Sequence, residues 1–429
     1  MRQLRWIGIV AILISLSVFV AACGGDDDDD DDDVTSSDDD DSDGDDDVAD
    51  DDDDDTSSDD DTAGDDDTAS DDDVAPFVEP DERGPYEVGV RTIYLTDESR
   101  YYEDDERSRV LPLEIWYPTD EDDGQINTAP DMVGDLPDWA LTALELAYQD
   151  RFDDLWSLET SAWRDAEISE DQPADGFPVI LFSHGLTAIR FQNYTLCEHL
   201  ASHGFVVVAP DHYGNAIFTN FPGGFKFFDA LSFATSYIDR PKDVDFIRER
   251  LIDFDDDASS DWYGKLNMEI FGVTGHSYGG MTSLQIGAYR DYAQAIAPLT
   301  PGWIGPLPED FRTPTLLLQS DNDSILPGNM NTTIKEKFDE STMDFKVYIQ
   351  LQNAGHYAPS DACALFPPFM LTPSVGCDGS QIDPALSNAI VSAYVTAFFK
   401  SALLGDTRYD DYLGANHYPD DMEYSATLP

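Results

Sequence analysis

Ser277 stands where nucleophilic chemistry is easiest to build. Residues 269–280 read E-I-F-G-V-T-G-H-S-Y-G-G: an apolar run ends at Thr274, and Gly275, His276, Ser277, Tyr278 and Gly279 follow in a G-x-S-x-G spacing. A serine at the tip of a sharp strand-to-helix turn has little room, so the positions two before and two after it must lack bulk, and Gly275 and Gly279 supply that. The turn lifts the hydroxyl clear of the sheet. It also aims the first amides of the next helix at the point where a negative oxygen would form.

A serine alone is a weak nucleophile. It needs a base, an acid to orient the base, and donors for the oxyanion. Gln319-Ser320-Asp321-Asn322-Asp323 follows the apolar stretch Thr313–Leu318. Of its two carboxylates, Asp323 is the candidate acid, because there the loop has cleared the strand; Asp321 is better placed to cap the turn. Gly355-His356 follows the apolar stretch Phe345–Leu351, and His356 is the histidine that comes after the acid at a strand end. The resulting chain order is Ser277, Asp323, His356. Ser183-His184-Gly185-Leu186-Thr187 follows the stretch Pro178–Phe182. Gly185 lets the backbone approach a substrate, so the amides of Leu186 and Tyr278 are the candidate oxyanion donors. An isolated Asp211-His212 pair is too little for a metal site, and neither metal nor cofactor is expected.

The elements that must hold these residues follow from hydrophobic period. Gly89–Leu95 suits an edge strand and Val110–Tyr117 a second strand, with Asp120–Asp135 an acidic loop. Trp139 to Trp163 has roughly helical apolar spacing, which predicts a helical insertion near 136–166. It suits a cap over the site or a packed surface pair equally. Pro178–Phe182, Gly204–Ala209, Phe271–Thr274, Ala293–Ala297, Thr313–Leu318 and Phe345–Leu351 read as short buried strands. Asn193–Ala201, Pro241–Ile252, Tyr278–Tyr289, Ile334–Phe338 and Pro384–Leu404 read as the helices between and after them, with Pro241 in a first helical turn. Strand and helix in regular order predict an α/β fold: a mostly parallel sheet covered by helices on both faces, with ligands beyond the carboxyl ends of the strands.

The N-terminal part is not expected in that domain. Residues 1–22 carry Arg2, Arg5 and an apolar run from Trp6 to Val20, the pattern of an export signal. Val20-Ala21-Ala22-Cys23 resembles the lipobox of bacterial lipoproteins, which implies cleavage before Cys23, acylation of that cysteine and a lipid anchor in the cell envelope, periplasmic or surface-exposed. Thirty-one of the 48 residues from 26 to 73 are Asp, and none is basic. Such a segment repels itself and cannot bury a core, so residues 23–74 read as an extended tether with at most non-specific cation binding. The whole chain carries a charge of −67, of which −38 falls on residues 74–429. Nucleic acid is thereby excluded as a partner, since phosphate would be repelled. The catalytic domain is placed at 75–429.

The motifs F-S-H-G-L-T-A-I-R, A-S-H-G-F-V-V-V-A-P-D-H, R-P-K-D-V-D-F-I and G-H-S-Y-G-G resemble those of dienelactone-hydrolase-like serine hydrolases, including the platelet-activating-factor acetylhydrolases. G-L-T-A-I-R, A-S-H-G-F-V-V-V and A-G-H-Y-A-P at 354–359 are also similar to bacterial cutinases and polyester hydrolases. The resemblance covers about Val110 to Leu403. It implies the α/β-hydrolase fold and carboxylic-ester hydrolysis through an acyl-enzyme, with Ser277 as nucleophile, His356 as base, and a small-molecule or lipid ester as substrate. Two departures matter. The dienelactone hydrolases use cysteine where this chain has Ser277, and the acetylhydrolases place their acid where this chain has Pro298-Leu299-Thr300, which favours the cutinase-like placement at Asp323. Short to medium acyl esters are the expected substrates; acetylated phospholipids, lipids and cutin-like polyesters are the alternatives, and a silent binding lipoprotein is the reading from another class. Cys363 and Cys377 flank a Pro-rich loop after His356 and are expected to pair in an oxidising compartment, while Cys197 reads as a buried free thiol. The aromatics from Tyr213 to Phe227 suit an acyl or aryl group or ordinary packing.

Overall fold

Buried parallel strands need apolar side chains on both faces, and the central runs of this chain provide them. The computed structural model describes residues 77–102, 106–302, 307–308, 310–326, 328–365, 375, 377 and 379–429. The export signal, Cys23 and the Asp-rich tether lie outside these residues.

In chain order the elements are β1 (Glu87–Tyr102), β2 (Arg107–Thr119), β3 (Ile126–Thr128), α1 (Ala129–Val133), α2 (Asp138–Tyr148), α3 (Phe152–Trp156) and β4 (Glu159–Arg164). The central part follows with β5 (Phe177–Ser183), α4 (Tyr194–Ser202), β6 (Val206–Pro210), β7 (Phe218–Phe221), β8 (Gly224–Phe227), α5 (Ser232–Asp256), β9 (Leu266–His276) and α6 (Tyr278–Tyr289). The chain closes with β10 (Ala295–Leu299), β11 (Thr315–Ser320), α7 (Met330–Glu340), β12 (Lys346–Leu351), α8 (Ala362–Leu365), α9 (Pro384–Leu404), α10 (Asp410–Leu413) and β13 (Met422–Thr427).

Eleven strands form one sheet in the order β13-β12-β11-β10-β9-β5-β6-β2-β1-β4-β3. From β6 to β12 the pairs β5–β6, β5–β9, β9–β10, β10–β11 and β11–β12 are all parallel, and antiparallel pairs extend both sides. Alternation along the strands divides the core. Ile180, Phe182, Val207 and Ala209 face a cluster completed by Leu196 and Leu200 of α4 and by Tyr394 and Phe398 of α9. Val179, Leu181, Val206 and Val208 face the other, with Val244 and Ile247 of α5 and Met281 and Leu284 of α6. This is the doubly covered α/β-hydrolase architecture expected from the sequence. Helix α9 is buried along much of its length and has clear ends: Asp383 caps the amides of Ala385 (2.8 Å) and Leu386 (3.3 Å), Pro384 takes the first turn, and Gly405 ends it left-handed.

Four local expectations need correction. β1 is not an edge strand, because β4 pairs parallel to it at Gly89–Trp163 and Val90–Arg164, and β3 lies beyond. The segment 120–135 is not all loop; it holds β3 and α1, whose first turn closes through Thr128 and Asp131. The helical insertion is real in α2 and α3 but stops at Trp156, and Trp163 lies on β4, where Thr160 and Ala162 face inward in strand period. Pro241 is internal to α5, which starts nine residues earlier, at Ser232. An internal proline leaves the carbonyl four residues back without its amide partner. Here that carbonyl, Tyr237 O, accepts from Gln285 Nε2 of α6 at 3.2 Å, so tertiary contact lets the helix run through.

Candidate active site

The turn between β9 and α6 places Ser277 at φ 56° and ψ −114°. A non-glycine residue there stores roughly 1–3 kcal/mol of strain and must be held by its surroundings. Its amide donates to Leu299 O at 2.8 Å, and its carbonyl accepts from Met281 N at 3.0 Å and Gly302 N at 3.2 Å. The flanking glycines are sterically required. A Cβ on Gly279 would lie 1.7 Å from Ser183 O, and one on Gly275 2.5 Å from the same atom. Ser277 and Tyr278 are half-buried, whereas the residues before them are buried.

His356 and Asp323 come from the loops after β12 and β11. The His356 Nδ1–H donates to Asp323 Oδ2 at 2.7 Å, and both side chains are sealed from solvent. Burial alone would raise the Asp323 carboxyl; the His356 imidazole and the amides of Leu326 and Ile325 outweigh it and hold the group below the ordinary carboxylate range. Asp323 also caps its own turn through Oδ1, which accepts from Ile325 N (3.0 Å) and Leu326 N (3.1 Å). Asp321 does not cap that turn with its side chain. Its Oδ1 accepts from Ala354 N at 2.9 Å and so ties the acid loop to the histidine loop.

His276, expected only as a neighbour of the serine, joins three loops. Gly185 N–H donates to Gln192 Oε1 (2.8 Å), Gln192 Nε2 donates to His276 Nδ1 (2.8 Å), and His276 Nε2–H donates to His356 O (2.8 Å). Each donor meets an acceptor only if His276 is neutral, and burial lowers its pKa to about 3. Thr300, standing where the acetylhydrolase-type acid was looked for, turns its hydroxyl to His356 O at 3.4 Å.

Gly185 lies against the serine: a Cβ there would be 3.6 Å from Ser277 Cβ and 3.2 Å from His276 Nδ1. Leu186 is half-exposed, and among the described residues its N–H has no acceptor. The N–H of Tyr278 is a free first-turn amide of α6. The loop carrying Gly185 and Leu186 is in turn pinned to the next segment through Thr187 N–Asn215 O (3.1 Å) and Ile217 N–Ala188 O (2.8 Å).

The insertion touches both the β7–β8 hairpin and α8. Trp139 packs on Phe225 and Phe227 of the β7–β8 hairpin, with centroids 5.3 and 5.4 Å away. Tyr148 donates its hydroxyl to Leu365 O of α8, beyond the histidine loop. Cys363 and Cys377 are joined in a disulfide next to that loop, and Cys197 is free and buried.

Sequence reading missed a second Ser-His-Asp arrangement. Ser183 Oγ donates to His212 Nε2 (2.8 Å) and His212 Nδ1 donates to Asp243 Oδ2 (2.8 Å), with all three side chains fully buried. Asp243 is also gripped by Arg109 through Nε and Nη2 and by Arg100 at 2.7 Å. Asp211 is buried and pairs with Arg190 at 2.7 Å. The R-P-K-D-V-D stretch contained Arg240 and Asp243 in plain sight; their one-helix-turn spacing, i and i+3, was the available signal.

Comparison with known proteins relates the chain to two family profiles and to bacterial esterases. The family profile described as platelet-activating factor acetylhydrolase, isoform II, matches residues 77–222, and the PET hydrolase-like profile matches 228–372. Cutinase est1 of Thermobifida alba is 27% identical over 59% of this chain and 71% of its own length. Cutinase 2 of Thermobifida cellulosilytica is 27% identical over 59% of this chain and 80% of its own. A bis(hydroxyethyl) terephthalate hydrolase of Streptomyces coelicolor is 26% identical over 56% and 62%. The solved ferulic acid esterase from Streptomyces cinnamoneus shares the fold, with a TM-score of 0.59 at 23% identity over 75% of this chain and 91% of that one. The chain therefore carries an α/β-hydrolase domain related to the platelet-activating-factor-acetylhydrolase-like and bacterial cutinase and esterase families, and it is a serine-type carboxylic-ester hydrolase.

Proposed function

We propose that this hydrolase cleaves cutin-like and polyester chains through an acyl-enzyme formed on Ser277. The observation that carries the catalytic part is the His356–Asp323 pair at 2.7 Å, on loops tied to the strained serine turn. In this reading His356 Nε2 takes the Ser277 proton as Oγ attacks the ester carbonyl, then gives it to the leaving alcohol. Asp323 fixes the tautomer and stabilises the imidazolium. The amides of Leu186 and Tyr278 hold the tetrahedral oxyanion, and water releases the acid by the reverse sequence.

The substrate class rests on the names of the relatives and on a half-exposed serine, which suits a chain laid across the surface. A second reading, acetyl hydrolysis of a choline phospholipid, is favoured by the acetylhydrolase profile over residues 77–222. Release of ethylene glycol and mono(2-hydroxyethyl) terephthalate from bis(2-hydroxyethyl) terephthalate, and of hydroxy acid from amorphous polycaprolactone, with Ser277→Ala flat, is the expected result. Cleavage of the sn-2 acetyl phospholipid alone would replace the polyester reading with the acetylhydrolase one.

In the same proposal Cys23 is lipidated and holds the domain at the bacterial cell envelope. Cys23→Ser should then shift the expressed protein from the membrane to the soluble fraction; a protein that is soluble without the change removes the anchor.

A further inference from the structure

We propose that Arg240 is a positioning residue of the reaction: its guanidinium aims the oxyanion-binding amides and sets a positive charge without an ion-pair partner behind them. This rests on the assignment of Leu186 and Tyr278 as the oxyanion donors.

Arg240 precedes the internal proline of α5 and is fully buried. Its N–H groups serve the oxyanion loop. One arm donates to the His184 carbonyl and, at 3.3 Å, to Ser183 Oγ. The other donates to the Gly185 carbonyl at 3.2 Å, and Nε donates to Asn215 Oδ1 at 2.7 Å. His184 Nδ1 donates to the same Gly185 carbonyl at 2.6 Å. A trans peptide is planar with its C=O and N–H antiparallel. Fixing the Gly185 carbonyl toward Arg240 therefore turns the Leu186 N–H the other way. A donor on the carbonyl also polarises the peptide and strengthens that N–H. The second donor is supported from the same cation, because the Tyr278 ring lies 4.7 Å from the guanidinium and its hydroxyl accepts from Ser236 Oγ at 3.0 Å.

The charge is the unusual part. Arg100 and Arg109 take up the carboxylates Asp97 and Asp243, and Asp239 also acts on Arg109. Arg100 bonds both acids, and Arg109 and His212 fill the rest of Asp243. Among the described residues no carboxylate lies within 4.0 Å of Arg240. A buried cation without an ion-pair partner is destabilising, and burial pushes the Arg240 guanidinium down to about 9. Neutral donors would satisfy the same carbonyls at less cost. What the charge adds is positive potential at the side of the peptide plane opposite the developing oxyanion, in a site of low dielectric.

The test uses the full-length protein and its Arg240→Gln, Arg240→Lys and Ser277→Ala variants. Hydrolysis of p-nitrophenyl acetate, inhibition by an aryl trifluoromethyl ketone and thermal melting are read for each. With Arg240→Gln, kcat should fall by ~100-fold while KM stays within about threefold, and the affinity for the tetrahedral ketone adduct should fall in proportion to kcat/KM. Arg240→Lys should recover most of both, and the melting temperature of Arg240→Gln should match or exceed the parent. The proposal is overturned if Arg240→Gln keeps kcat within threefold. It is also overturned if kcat falls with ketone affinity unchanged, or if the lysine variant is as poor as the glutamine one. Should Arg240→Gln fail to fold, Arg240→Lys decides alone: keeping most of kcat and of ketone affinity supports the proposal, and loss of either sinks it. Turnover that survives in Ser277→Ala would overturn the assignment of the site itself, independently of Arg240.

Discussion

Two Ser-His-Asp sets, built from the same residue types, sit within one domain. In one, Ser277 occupies a strained, half-exposed turn, and its His356 and Asp323 come from loops beyond the strand ends. In the other, Ser183, His212 and Asp243 are bonded at 2.8 Å in both links but are sealed, with Arg109 and Arg100 on Asp243 and Arg240 on Ser183. The second histidine is held neutral by burial, with a pKa of about 3. The comparison teaches that residue identity and hydrogen-bond order do not make a catalytic group. Access, backbone strain at the serine and free amide donors beside it do. The sealed copy serves the structure instead, by carrying the loop that presents Gly185 and Leu186.

The sharpest way to break this contrast is to remove each serine hydroxyl. Ser277→Ala should lower kcat on p-nitrophenyl acetate by roughly a millionfold and abolish fluorophosphonate labelling. Ser183→Ala should lower kcat by less than ~10-fold, its effect appearing in the melting temperature. A labelled Ser183, or equal kinetic losses, would collapse the distinction.

The acids come next. Asp323→Asn should cost roughly ten-thousandfold in kcat with little loss of fold, because it spoils the imidazole tautomer. Asp243→Asn leaves Arg109 and Arg100 without their shared carboxylate and should cost about 3–5 kcal/mol of stability in urea unfolding. Reversal of the two phenotypes would mean that the sealed arrangement is the reactive one.

The smallest expected effect concerns a sealed carboxyl near neither serine. Glu198 on α4 accepts from Ser161 N at 3.0 Å through Oε2, while its buried Oε1 is without a partner. Burial raises its pKa to about 7 from an ordinary 4.5. The folded state thus holds a proton that the unfolded state releases. The stability this gives is complete below about 4.5 and is lost as pH rises through about 7. Glu198→Gln should raise the melting temperature by about 2–4 °C at pH 8 and change it little at pH 4.5, with kcat unaffected at both. A shift of the same size at both pH values would contradict the burial account.

Local sequence was enough wherever the physics was local. The apolar runs that must be buried on both faces fixed the parallel sheet, and the clash of any side chain at 275 or 279 with Ser183 O made the serine turn readable from two glycines. Strand-end logic likewise led to His356 and to Asp323, the two residues that meet at 2.7 Å. Local reasoning failed where a distant partner changed the cost. Pro241 did not start a helix because Gln285 satisfies the carbonyl it orphans, and Glu159–Arg164 became a strand because β1 offered an edge. Only the tertiary structure could decide in which of two Ser-His-Asp sets the serine reaches the surface. Only it could set Arg240 behind a glycine 55 positions earlier in the chain, since burial and charge pairing are properties of the assembled core that no local period encodes.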